Sequence, residues 1–123
     1  MKWLRGSLFL MALLLAACQA GKPPEPVEAS LQTQPAPKLN GQSDIQVSIL
    51  NLDEQTLAQT EVDIVIEKED TEEEELIKMV RNPETGKFGT RKTWTAEGPH
   101  RIYIHVYTPS DHLIFVEKVN VSP

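Results

Sequence analysis

The sequence predicts an all-β sandwich of about six or seven short strands, and three observations carry that reading. From Asp44 onward apolar and polar residues alternate with a period of two, which places successive side chains on opposite faces of a sheet. The alternating runs are separated by clusters of Pro, Gly, Asn, Asp and Ser that favour turns. No segment offers apolar residues at helical spacing over several turns.

Ile45, Val47 and Ile49 begin the first strand, and Val62, Ile64 and Ile66 form the second. The acidic run Glu67 to Glu75 ends that strand and reads as a solvated turn that discourages edge pairing. Ile77 and Met79 lie on one face of a third strand, followed by the turn Asn82-Pro83-Glu84-Thr85-Gly86 and a fourth strand from Phe88 to Thr95. After Gly98-Pro99 comes the clearest alternation in the chain. His100, Ile102, Ile104 and Val106 share one face; Arg101, Tyr103, His105 and Tyr107 share the other. Thr108-Pro109-Ser110-Asp111 turns the chain back into Leu113, Phe115, Val119 and Val121. Short antiparallel strands of this kind, several apolar on both faces, fit a small immunoglobulin-like β-sandwich spanning residues 44–123.

The first residues have a different character. Lys2 and Arg5 form a positive start, Leu8 to Leu15 an apolar run, and Leu15-Ala16-Ala17-Cys18 sets small residues directly before the only cysteine. The run is too short for a stable span of a hydrocarbon core about 30 Å thick, so residues 1–17 read as a removed signal peptide. The box resembles that of bacterial lipoproteins, in which the thiol receives a diacylglyceryl group before cleavage. That likeness implies a mature chain beginning at a lipidated Cys18, held at the cell membrane on its extracytoplasmic side. Two acyl chains hold firmly where one binds only marginally. Residues 18–43 hold five prolines, and Val27, Leu31 and Leu39 show no period, so they are expected to be a disordered linker. At ~3.1 Å per residue such a linker would lift the domain some tens of Å from the bilayer.

Loss of residues 1–17 removes Lys2 and Arg5 and no acid, so the net charge falls from -6 to -8. Nucleic-acid binding draws on Lys and Arg neutralising phosphates; here those residues are outnumbered and form no cluster, which excludes nucleic acid as a partner. An anionic membrane surface would repel the chain, leaving the lipid as its membrane attachment. With its one cysteine committed to the anchor, the domain has no disulfide and no thiolate for metal or catalysis.

Three histidines remain as chemistry-bearing residues, all near the C-terminal hairpin. If Val106 pairs with Leu113 and Ile104 with Phe115, Tyr107 lies near His112, and His105 and His112 become diagonal cross-strand neighbours on the outer face. Two imidazoles so placed can share one metal ion, although two ligands make an incomplete site. His100 points toward the core at the start of its strand, as does the ring of a tyrosine corner, and a structural role is expected of it. The thioether of Met79 could serve a soft ion such as Cu(I), although a lone strand methionine is usually core. Ser110, Asp111 and His112 are the residue types of a hydrolase triad but are consecutive in a turn, and a triad needs members converging from separate elements. The domain is therefore read as non-catalytic.

The order of features from Gln59 to Ser122 resembles the YtkA-like domain, a family of small bacterial β-sandwiches related to the FixH group. The likeness rests on Glu61 to Glu67, on Gly86-Lys87-Phe88, and above all on Gly98-Pro99-His100-Arg101-Ile102-Tyr103-Ile104-His105-Val106 followed by His112. It implies that His105 and His112 are the family's two histidines and that copper is the metal, in metal handling or oxidase assembly. Two positions depart from the pattern: His100 stands where the family usually has Tyr, and Leu113-Ile114-Phe115 lacks the Met often found after the second His. The alternative is a surface-displayed module whose face of Arg101, Tyr103 and Tyr107 meets another envelope protein or a copper-handling partner.

Overall fold

The computed structural model describes residues 25–123, so the predicted signal peptide, Cys18 and the first part of the predicted linker lie outside the described residues. Among the described residues eight strands and one short helix follow in order: β1 (Glu28–Gln34), β2 (Gln42–Leu50), α1 (Glu54–Ala58), β3 (Glu61–Lys68), β4 (Glu74–Lys78), β5 (Val80–Arg81), β6 (Phe88–Thr93), β7 (Gly98–Tyr107) and β8 (His112–Val121). They form two four-stranded antiparallel sheets, ordered β1-β2-β6-β5 and β4-β3-β7-β8. The chain is thus an all-β sandwich. In the lettering of immunoglobulin domains the first sheet reads A-B-E-D, while the second adds one strand beside C-F-G.

The inward faces are those the alternation predicts. Ile45, Val47 and Phe88 from one sheet meet Val62, Ile64, Ile66, Ile102, Ile104 and Val106 from the other, and Met79, Trp94 and Val121 complete the buried core. The polar part of this interior is a relay. The Trp94 indole Nε1 donates to Ser43 Oγ at 2.9 Å, and Ser43 Oγ donates to the Pro35 carbonyl at 2.8 Å, so two buried groups satisfy each other and the backbone.

The boundary expected at residue 44 is corrected. Residues 28–34, expected to be part of a disordered linker, form edge strand β1, in register with β2 from Glu28 opposite Leu50 to Gln34 opposite Asp44. Val27, Ala29, Leu31 and Thr33 are all half-buried and do alternate, but two of the four are too small or polar to register as a hydrophobic period. Beyond β1 the chain stays attached: Leu39 N donates to Ser122 O, Asn40 N to Trp94 O, and Trp94 N to Gly41 O. Near its start, Asn51 Nδ2 donates to Pro26 O at 2.8 Å, fixing the entrance of β1 beside the exit of β2.

The predicted third strand divides in two. β4 pairs with β3 in one sheet and β5 with β6 in the other, and Met79 between them turns its side chain into the core while its N–H donates to Val62 O at 3.0 Å. The helix α1 was not foreseen, since one turn has no period to display. Asp53 caps it, accepting from Thr56 N at 2.7 Å. The 82–86 turn forms as predicted: Asn82 Oδ1 accepts from Glu84 N, and Gly86 supplies a backbone φ of 73° that other residues rarely adopt.

Candidate functional site

β7 and β8 pair with Val106 opposite Leu113, Ile104 opposite Phe115 and Tyr107 opposite His112, the register the alternation predicts. Because Ile102, Ile104 and Val106 are drawn into the core, Arg101, Tyr103, His105 and Tyr107 are turned outward. His105 and His112 are diagonal neighbours on that outer face. Their nitrogens meet, with His105 Nδ1 3.0 Å from His112 Nε2 and the ring centroids 5.2 Å apart. One nitrogen donates the shared proton and the other accepts it. Tyr107 stacks on His112 with centroids 4.3 Å apart and lies nearly parallel to His105 at 6.2 Å, so the three rings form one aromatic cluster beside the β7–β8 turn.

The distance between the two nitrogens meets one requirement for sharing a metal ion. Two imidazole nitrogens each bonded at about 2.0 Å to one ion can be at most about 4 Å apart, and these are 3.0 Å apart. Among the described residues no group of three or more His, Cys, Asp or Glu is placed to hold a metal. An ion here would take two protein ligands and fill its other positions from solvent or a partner.

Met79 is not one of those ligands. It is buried in the core between the sheets, whereas the imidazoles occupy the outer face, so the expected thioether contribution is corrected. Arg101, Tyr103 and Tyr107 do share the outer face with the histidines. Arg101 Nε donates to Glu69 Oε1 at 3.2 Å, and the neighbouring Tyr103 side chain, followed by Glu69, raises the guanidinium pKa further above its ordinary value. Tyr107 belongs to the histidine cluster rather than to a separate patch.

His100 is buried, and its Nδ1–H donates to the Gly98 carbonyl at 2.9 Å, while its ring meets Trp94 edge-on at 5.6 Å. It is held as part of the core, as its inward position predicts. Asp63 was missed in the sequence. It stands directly opposite His105 on β3, with Glu61 opposite Tyr107, so a row of carboxylates borders the aromatic cluster. The inward Val62 and Ile64 signal that Asp63 faces outward, but the pairing of β3 with β7 joins segments some forty residues apart and leaves no local trace.

Fold and face together define an immunoglobulin-like sandwich presenting paired imidazoles on its outer sheet surface. No protein-family model and no curated protein matches the chain at a significant level.

Proposed function

We propose that this chain is a bacterial lipoprotein, anchored by a lipidated Cys18 on the extracytoplasmic side of the cell membrane, whose non-catalytic YtkA-like, FixH-related domain binds copper through His105 and His112 in metal handling or oxidase assembly. The observation that carries the copper reading is the 3.0 Å approach of His105 Nδ1 to His112 Nε2 on an accessible face. The pair offers borderline nitrogen donors that suit Cu(II), and burial of Met79 removes the soft sulfur that would favour Cu(I). Tyr107, stacked on His112, fixes one ring so that less freedom is lost on binding. The non-catalytic reading is supported by the β7–β8 turn, where Ser110 Oγ donates to Asp111 Oδ2 at 3.3 Å instead of to a histidine.

Calorimetry of the full chain with Cu(II), and with Cu(I) under reducing conditions, tests the proposal. His105→Ala and His112→Ala should each abolish uptake, because one imidazole cannot hold the ion against water. Uptake should also weaken in acid, since a metal must displace the protons the rings carry. Equal weak uptake by the wild type and the double variant would reject the copper site.

A second reading, a module that binds protein, is favoured by a separate observation: the same face carries a row of exposed apolar side chains that includes Leu76 and Val116.

A further inference from the structure

The outer face of the β4-β3-β7-β8 sheet is divided by charge and crossed by an apolar row. In register across the four strands stand Leu76, Val65, Tyr103 and Val116, with Ile114 beside them. Leu76, Val116 and Ile114 are 65%, 53% and 55% exposed, an uncommon concentration of apolar side chains on one solvated sheet face. In the β4–β3 half lie Glu74, Glu67 and Asp63, with Lys78 the one base among them; in the β7–β8 half lie His105, Arg101 and Lys118, the last two sharing the single carboxylate of Glu69 at 3.2 and 3.8 Å, which leaves that half net positive.

We infer that this face is a self-complementary surface through which two copies of the chain associate. A two-fold axis in the interface, parallel to the strands and between β3 and β7, turns the β4–β3 half of one copy onto the β7–β8 half of the other. Glu74 then faces Lys118, Glu67 faces Arg101 and Asp63 faces His105, while Leu76 meets Val116 and Val65 meets Tyr103. The alternative in-plane axis, across the strands, sets Asp63 against Glu67, so the charges select the first. Two sheets meeting face to face with nearly aligned strands is a common mode of sheet packing. Four strands about 4.8 Å apart, over about six residues each, give a face about 20 Å on a side, near the lower limit for specific association, so the dimer is weak and reversible. The inference does not rest on the copper reading, but it would bring a carboxylate of the second copy, Asp63, toward His105.

Sedimentation of the metal-free full chain, from micromolar to near-millimolar concentration and at rising salt, tests it. A monomer–dimer equilibrium that loosens with salt is expected. Glu74→Lys alone and Lys118→Glu alone should each weaken self-association by about tenfold or more, because each sets like charges face to face. Mixing the two variants should restore dimers, since each supplies the charge the other has lost. Val116→Asp, at an exposed position that leaves the core untouched, should abolish association while circular dichroism shows the fold intact. A chain that stays monomeric at every concentration, or a dimer indifferent to both charge changes and to Val116→Asp, would overturn the inference.

Discussion

Ser43 illustrates how a single small side chain can hold several segments. It lies in β2, accepts from the indole of Trp94 beyond the end of β6, and donates to the carbonyl of Pro35 just beyond β1. Both side chains are almost fully buried, so no water replaces a lost partner. Ser43→Ala should therefore lower stability by about 1–3 kcal/mol in denaturant unfolding, and Trp94→Ala by about 3–5 kcal/mol through the volume it vacates. Asp53 acts at the surface instead. Its carboxylate accepts the Thr56 N–H, and this backbone hydrogen bond, followed by that of the Thr56 hydroxyl, holds its pKa below the ordinary 3.8. A depressed folded-state pKa means that the stability it contributes is present above the unfolded value and is lost as pH falls through the folded one. Asp53→Asn should accordingly flatten part of the acid limb of a stability–pH curve while leaving the neutral region nearly unchanged.

At the level of elements, the β7–β8 hairpin was legible because the alternation of β7 is long and unbroken, and a register that buries Ile104 and Val106 leaves His105 and His112 no other face to occupy. The site followed from that register alone. Asp63 was not legible beside it, since which strand lies next to β7 is decided by long-range packing. Nor was β1, whose inward residues include Ala29 and Thr33, where apolar patterning has little to detect. The split of β4 from β5 was hidden for the opposite reason: Ile77 and Met79 both point inward, so a strand that changes sheets keeps the pattern of one that does not. The role of β1 gives a prediction. Leu31, opposite Val47, is half-buried against the core, so Leu31→Asp should destabilise the domain by about 1–3 kcal/mol. A chain beginning at Asp44 should unfold at lower denaturant than one beginning at Glu25; identical midpoints would show that β1 adds nothing.

For the molecule as a whole, the margin is narrow: a domain of this size is stable by about 5–15 kcal/mol, and Ile104→Ala, in the middle of the core, should remove about 2–5 of them. Under the proposed anchoring, Cys18→Ser should leave the protein as uncleaved precursor or release it from the membrane fraction, and an unmodified Cys18 in membrane-bound mature protein would contradict it. The early start of β1 then limits how far the domain can stray. Nine residues separate Cys18 from Glu28, enough for at most about 36 Å of fully stretched chain. That leash also has a direction. β1 begins opposite Leu50 at the exit of β2, the chain returns through 51–60 to Glu61, and Glu61 is paired with Tyr107, which is paired with His112. The tethered pole of the sandwich is therefore the pole that carries the imidazoles, and a lipid at Cys18 would hold that pole within the tether's reach of the bilayer. Copper delivered to such a site, or taken from it, would pass between this domain and proteins embedded in the same membrane.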